Sequence, residues 1–263
     1  MVDQKDGVLG DVILVNGAPW PVLETRPARY RLRLLNASNA RRYRLALDPQ
    51  PPGGGGLVQI GGDGGLLGRP RRHDELELAP AERFDTVVDF SRYRPGTRVR
   101  LVNRLGSGTT AEVMRFDVTP GPVPDDSAVP DRLARVERLD PKAAVATRTF
   151  VFQQSADGWT INGLPYLPGR ALARPGLGST EIWRFVTDFH HPIHLHLDHF
   201  QVLSRNGAGP GPYDAGWKDT VDLRPAEGLE VAVRFTDYAG AFMLHCHNLE
   251  HEDMAMMGDF VTG

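Results

Sequence analysis

Apolar residues along this chain recur mostly at every second position, in short runs. Clear examples are the segments 30–34 (YRLRL), 85–90 (DTVVDF) and 229–235 (LEVAVRF). A spacing of two places the apolar side chains on one face of an extended chain, which predicts half-buried β-strands. Turn signals such as Asn16-Gly17 and Asn162-Gly163 separate the runs. Many short strands joined by such turns indicate an all-β fold of sandwiches or barrels.

The strand pattern lapses between Thr119 and Thr147, where the chain becomes rich in proline and aspartate. The segment DRLARVERLDPKAA within it could form a short helix. We therefore predict two domains, residues 1–120 and 148–263, joined by a linker over residues 121–147. A chain of 263 residues with 41% hydrophobic content is long enough for two modest cores.

Charge and hydropathy exclude some partners. The formal net charge is -3, and the six arginines between positions 29 and 44 alternate with apolar residues, which is typical of the solvated face of a strand. We therefore expect no nucleic-acid partner. No apolar run approaches the roughly 20 residues of a membrane helix, and the N-terminus MVDQKDGVLG lacks the profile of a signal peptide. We expect no membrane partner, and the sequence leaves the cellular location open.

Candidate chemistry is concentrated in the second predicted domain, which holds eight of the nine histidines. Seven histidines fall in two windows, 190–196 (HHPIHLH) and 245–251 (HCHNLEH), and the second window encloses the single cysteine, Cys246. One cysteine excludes an internal disulfide, so its neighbours must explain it. The clustering indicates metal ligands. The alternative is that these are ordinary core or surface histidines that bind nothing.

The strand period explains the spacing within each window. Residues i and i+2 of a strand point to one face and residue i+1 to the other. His194 and His196 should therefore share a face. His245 and His247 should also share a face, while Cys246 between them points the opposite way. One strand can thus serve two metal sites on its two sides.

The ligand types indicate copper. A thiolate, two imidazoles and a weak axial thioether form the ligand set of blue-copper electron-transfer sites. Zinc also binds cysteine and histidine, but a structural zinc site favours paired cysteines and closed tetrahedral spacing. We therefore favour copper over zinc. The candidate ligands are His191, Cys246, His251 and Met256.

The two windows, extended to 191–196 (HPIHLH) and 245–256 (HCHNLEHEDMAM), resemble the C-terminal copper signatures of multicopper oxidases. The similarity is greatest to the branch of spore-coat laccase, bilirubin oxidase and phenoxazinone synthase. Residues 12–45 resemble the start of that branch's second domain, and residues 216–225 (GWKDTVDLRP) resemble a strand region of its third. The resemblance covers essentially the whole chain. It implies two cupredoxin-like Greek-key domains, of which only the second, residues 148–263, carries copper ligands.

The resemblance also implies a role for each ligand. Type 1 copper would be bound by His191, Cys246, His251 and Met256, type 2 copper by His194, and type 3 copper by His196, His245 and His247. Glu252 resembles the acidic residue that relays protons to reduced oxygen in this family; the alternative is an exposed loop carboxylate. Cys246 would be both a ligand and the electron path between the type 1 site and the cluster.

In this family the trinuclear cluster needs four His-x-His pairs, and this chain has two. The remaining histidines form no such pair: we expect a solvated His73 in a loop, and we expect His190 and His199 to shape the surroundings of the motif. A separate N-terminal cupredoxin domain or chain would have to supply the other pairs, and only then would type 2 and type 3 copper bind.

The resemblance implies a laccase-like oxidoreductase part that couples oxidation of a small aromatic reductant to reduction of O2 to water. The alternative from the same residues is a blue-copper electron-transfer or copper-binding protein without oxidase activity of its own. A third interpretation, a non-functional remnant, predicts aggregation through an exposed face.

Overall fold

A computed structural model describes residues 5–121, 123–156 and 158–263, and its regular structure is almost entirely β-strand, which confirms the all-β prediction. The strands of the N-terminal half are β1 (Leu14–Val15), β2 (Ala18–Pro19), β3 (Val22–Thr25), β4 (Arg29–Leu35), β5 (Tyr43–Asp48), β6 (Leu57–Gly62), β7 (Gly65–His73), β8 (Glu75–Leu78), β9 (Arg83–Asp89), β10 (Arg98–Asn103) and β11 (Glu112–Val118). Asn16 and Gly17 both have positive φ, 51° and 83°, as the tight turn between β1 and β2 requires.

The C-terminal half contains ten further strands and one short helix. The strands are β12 (Ala146–Ser155), β13 (Gly158–Ile161), β14 (Ala171–Ala173), β15 (Thr180–Thr187), β16 (His191–Leu195), β17 (Phe200–Arg205), β18 (Thr220–Leu223), β19 (Gly228–Arg234), β20 (Gly240–Cys246) and β21 (Met257–Thr262). Helix α1 (Leu249–Asp253) lies between β20 and β21. Single 3-10 turns are formed by Phe90–Arg92, Gly108–Ala111 and Pro141–Ala143.

Each half builds two larger sheets around an apolar core. In the N-terminal half the strand orders are β3-β11-β10-β5-β8 and β4-β9-β6-β7; in the C-terminal half they are β13-β12-β15-β19-β17 and β14-β21-β20-β16-β18. Two clusters of buried side chains fill the space between the sheets, one in each half. The domain limits 1–120 and 148–263 remain a prediction. Strand β16 pairs with β20, and this pair carries both histidine windows.

The segment between the two halves is extended, so the expected short helix is wrong. Its backbone donors find partners outside a helix: Leu133 N–H donates to the Gly68 carbonyl, and Leu139 N–H donates to Gln201 Oε1. Leu133 packs on the N-terminal half and Leu139 is buried near the C-terminal half. Because its apolar residues serve two different halves, the segment gains more from lying extended across both than from helical hydrogen bonds. Only the 3-10 turn Pro141–Ala143 is helical.

The charged surface agrees with the interpretation of the arginine-rich strands. Arg31 of β4 pairs with Asp85 of β9, and Arg44 of β5 pairs with Glu77 of β8. These arginines are therefore neutralised by carboxylates on neighbouring strands. Within the described residues, no helix is long and apolar enough to cross a membrane.

Candidate metal centre

Three ligand side chains converge in the core of the C-terminal half. Cys246 Sγ lies 3.4 Å from His191 Nδ1 and 3.6 Å from His251 Nδ1, and the two Nδ1 atoms are 3.1 Å apart. With metal bonds of about 2.3 Å to sulfur and 2.0 Å to nitrogen, and angles of about 100–120° at the ion, donors around one ion lie about 3.1–3.8 Å apart. All three residues are fully buried. We call them the Cys246 cluster; their spacing and donor types fit a blue-copper ion.

Three elements bring the Cys246 cluster together. His191 begins β16, Cys246 ends the neighbouring strand β20, and His251 lies on α1. After α1 the chain turns back at Ala255, which has a φ of 66°. Met256 N–H then donates to the His251 carbonyl, and the Met256 carbonyl accepts from Cys246 N–H. Met256 is fully buried in the same core, where the axial ligand is expected.

The surroundings of the Cys246 cluster fix its ligands and exclude water. The Trp159 indole lies against the His251 imidazole, and Asp188 Oδ1 is 3.3 Å from His191 Nε2. The backbone N–H of Asn248 donates to Cys246 Sγ at 3.4 Å. Burial raises the pKa of the Cys246 thiol, so a bound cation is needed to favour the thiolate.

A second group of histidines lies on the other side of the β16–β20 pair. His194, His196 and His245 each offer a ring nitrogen to one position, and the Nε2 atoms of His196 and His245 are 3.1 Å apart. The His247 ring centroid is 5.4 Å from that of His245 and 5.9 Å from that of His194. We call these four residues the histidine face. His194 and His196 are partly solvent-exposed, unlike the ligands of the Cys246 cluster.

Hydrogen bonds orient two of these imidazoles. His194 Nδ1 lies 3.0 Å from both the Asp219 carbonyl and Thr220 Oγ1, and His245 Nδ1 lies 3.1 Å from the Cys246 carbonyl. A carbonyl only accepts, so each Nδ1 carries the proton and each Nε2 lone pair is left for a metal. Burial, with the neighbouring histidines, lowers the pKa of His245 to about 4, which favours the neutral ligand form.

The remaining predicted residues are placed as follows. Glu252 is partly exposed on α1, and its Oε2 is 3.5 Å from His245 Nδ1, beside the histidine face. His190 is half-buried and His199 Nε2 is 3.7 Å from Asp219 Oδ2. His73 contradicts the expectation of a solvated loop residue: it ends strand β7, is half-buried and lies 3.1 Å from Gln59 Oε1. Tertiary packing, which a loop-like local sequence does not reveal, accounts for the difference.

Sequence reasoning missed three residues that touch the ligands. Trp159 and Asp188 contact the Cys246 cluster, and Asp219 contacts His194. Asp188 precedes His191 by three positions and Asp219 lies in the GWKDTVDLRP segment, so proximity to a motif was the available signal. Trp159 gave none, because its contact with His251 joins β13 to α1, which are far apart along the chain.

Comparison with known proteins agrees with this geometry. Residues 138–263 match the family model described as multicopper oxidase. The chain is 38% identical to a laccase of Bacillus subtilis, over 94% of this chain and 53% of that protein. It is 37% identical to a bilirubin oxidase of Albifimbria verrucaria, over 95% of this chain and 47% of that protein. The chain thus spans about half the length of the curated relatives it matches.

A solved structure supports the same relationship across both halves. The McoA multicopper oxidase of Aquifex aeolicus superposes with a TM-score of 0.90 at 33% identity, over 99% of this chain and 61% of that one. Both halves are therefore covered by the similarity, including the half that contributes nothing to the two ligand groups described above. On the combined evidence of ligand geometry, sequence and fold, this chain belongs to the multicopper oxidase family.

Proposed function

We propose that this chain is the part of a laccase-like multicopper oxidase that accepts electrons from small phenolic or other aromatic donors. The observation that carries the proposal is the position of Cys246 in β20. Its Sγ belongs to one ligand group, and the residues bonded to it on either side, His245 and His247, belong to the histidine face. The backbone of three consecutive residues is therefore the shortest connection between a buried donor site and a partly exposed one.

Bound copper would supply the one-electron chemistry, in which four electrons and four protons reduce one O2 to two waters. The chain's own residues would do the rest. His191, Cys246, His251 and Met256 would hold type 1 copper in a dry, rigid pocket, which suits electron transfer because little has to reorganise.

The histidine face would hold part of the trinuclear cluster. We assign His194 to type 2 copper and His196, His245 and His247 to type 3 copper. Glu252, 3.5 Å from His245 Nδ1, would hold a proton next to the oxygen-reducing site and release it as the oxygen is reduced.

Four histidines are half of what such a cluster needs. We propose that two further His-x-His pairs come from an N-terminal cupredoxin domain, on this polypeptide or on another, docked against the partly exposed histidine face. The relatives named laccase and bilirubin oxidase are about twice as long as the matched region, which is consistent with one further domain.

The alternative is a blue-copper electron carrier. The Cys246 cluster is complete and buried within this chain, so it could bind copper and cycle between Cu(I) and Cu(II) without any oxygen chemistry. This alternative differs from the first proposal in one property, the fate of the electrons after they reach Cys246.

The test is to purify the chain with copper and to measure copper per chain, the visible spectrum and oxygen uptake with 2,6-dimethoxyphenol. The measurement is repeated with an added cupredoxin domain that carries two His-x-His pairs. We expect one copper and strong blue colour from the chain alone, and oxygen uptake only with the added domain. Blue colour without uptake in both cases would favour the electron carrier. Uptake by the chain alone would contradict the proposed need for further ligands.

A further inference from the structure

Residues of the N-terminal half form ion pairs with the segment that precedes β18 and hold it in place. Arg83 of β9 makes a two-pronged contact with Asp219: its Nη1 and Nη2 atoms each lie 2.6 Å from one carboxylate oxygen. Two parallel charge-assisted hydrogen bonds fix orientation as well as distance. The Asp219 side chain is therefore held in one position by a residue of the other half.

The neighbouring residue is held in the same way. Lys218 Nζ is 3.1 Å from Asp63 Oδ2 and 3.2 Å from Glu82 Oε1, and the Lys218 side chain is only 2% exposed. Its two acidic partners are also buried and belong to the N-terminal half. Buried charges are costly unless they are paired with good geometry, so this contact is strongly specified. Together these three ion pairs hold residues 218 and 219 in place.

The clamped segment is the one that orients His194. The Asp219 carbonyl accepts from His194 Nδ1 at 3.0 Å, and Thr220 Oγ1, also 3.0 Å from Nδ1, donates its own hydrogen to Asp219 Oδ1 at 2.9 Å. The Thr220 hydroxyl is thereby turned so that its lone pairs face His194. One carboxylate, fixed by Arg83, thus sets the direction of the Thr220 hydroxyl, and the backbone of the same clamped residue supplies the other acceptor of the His194 proton.

The same carboxylate has competing positions. Asp219 Oδ1 is 3.6 Å from His194 Nδ1, and Asp219 Oδ2 is 3.7 Å from His199 Nε2. With Arg83 in place, both oxygens are already engaged at 2.6 Å. Without Arg83, the Asp219 carboxylate is free to turn toward either imidazole, and the hydrogen bonds around His194 are no longer held in one arrangement.

We infer that Arg83 is a positioning residue for His194, acting through Asp219 and Thr220. The inference rests on the proposed function, in which His194 is a copper ligand. It assigns a role to the N-terminal half, none of whose described residues belongs to either ligand group: this half fixes the direction of an imidazole in the other half. The histidine face thus belongs to the C-terminal half, and the residues that clamp it belong to the N-terminal half.

The test reads the His194 ring directly in the full chain prepared without copper. Long-range 1H–15N spectra of the histidine rings report which nitrogen carries the proton. In the parent chain we expect a single Nδ1–H tautomer for His194. Arg83→Gln should keep the proton on Nδ1, because the Asp219 carbonyl is still its acceptor. It should shift and broaden the His194 ring signals, because the released Asp219 side chain no longer holds the Thr220 hydroxyl in one direction. Arg83→Lys keeps the charge but not the two-pronged geometry, so it should restore the parent signals only in part.

Arg31→Gln is the matched control, because Arg31 also pairs with an aspartate, Asp85, but at an exposed position. It should leave the His194 ring signals unchanged. After copper is added, the blue absorption of the Cys246 cluster should be retained in every variant, which shows that the C-terminal half is folded. If Arg83→Gln fails to fold, the Arg83→Lys spectrum decides, and an unaltered His194 ring there overturns the inference.

The outcome is separable from that of the proposed function. Shifted and broadened His194 ring signals in the copper-free Arg83 variants support the clamp even if no oxygen uptake is ever found. Unchanged His194 ring signals in folded Arg83→Gln overturn the clamp even if the assembled protein is an active oxidase.

Discussion

The Trp159 indole lies almost flat on the His251 imidazole, with ring centroids 3.8 Å apart and an interplanar angle of 31°. Trp159 is buried, and its ring also meets His191 edge-on at 5.4 Å. One side chain therefore packs against both imidazoles of the Cys246 cluster. Such a contact can hold ligands in place before a metal arrives, which is how a protein pre-organises a site.

Replacing Trp159 should loosen this pre-organisation. Trp159→Ala should lower the free energy of unfolding by about 3–5 kcal/mol, because a large buried ring is removed. It should also weaken copper binding at the Cys246 cluster, since His251 loses its stacking partner. Trp159→Phe keeps an aromatic ring and should retain most of both properties. Urea unfolding and copper titration followed by blue absorption measure the two effects; equal copper affinity in all three proteins would contradict the positioning role.

Cys246→Ser should abolish the blue colour. A hydroxyl cannot replace a soft thiolate toward copper, so the ligand-to-metal charge transfer that gives the colour has no donor. The change is nearly isosteric in a fully buried position, so the fold should survive and circular dichroism should match the parent. Visible absorption after copper loading is the measurement. Intense colour in the serine variant would remove Cys246 from the type 1 assignment.

His194→Ala should have the opposite pattern. His194 belongs to the histidine face and not to the Cys246 cluster, so the blue absorption of the isolated chain should stay intact. When a domain with two further His-x-His pairs is added, the variant should bind less copper and take up less oxygen than the parent. Loss of blue colour in His194→Ala would mean that the division between the two ligand groups is wrong.

The grouping of the candidate ligands was predictable because it depends on local strand geometry. The alternation of a strand puts His245 and Cys246 on opposite faces whatever the rest of the fold does, and the structure has them in different ligand groups. The strands β4, β9 and β19 follow the apolar alternation for the same reason.

Contacts between distant segments were not predictable in this way. Arg83 and Asp219 are 136 positions apart, and alternation says which face a side chain occupies but not what it meets there. The helix prediction for the segment around Leu133 failed for a related reason. Its apolar spacing is compatible with a helix, and only contacts with the two flanking halves favour the extended conformation.

Lys218 provides a test of how firmly the two halves are joined. Lys218→Met removes the ammonium that pairs with both Asp63 and Glu82 and leaves Asp63 only a longer pairing with Arg83 at 3.6 Å. This should cost about 3–5 kcal/mol in the free energy of unfolding, because buried carboxylates lose their partner. Arg31→Met removes an exposed pair and should cost much less, because solvent screens it. Thermal and urea unfolding of both variants measure the difference. A Lys218→Met protein as stable as Arg31→Met would show that the network contributes little.

His73 should make stability depend on pH. Burial, with a smaller effect of Arg71, lowers the pKa of His73 below its ordinary 6.5, so the folded state binds fewer protons than the unfolded state between the two pKa values. The free energy of unfolding therefore rises with pH across that window; this contribution is fully present above about pH 6.5 and is lost as the pH falls.

His73→Gln has no titrating ring and keeps a donor for Gln59 Oε1. The difference in unfolding free energy between about pH 8 and about pH 5 should be smaller in the variant than in the parent. Equal differences in the two proteins would mean that His73 titrates alike in the folded and unfolded states, against the expectation from its half-buried position beside Tyr213.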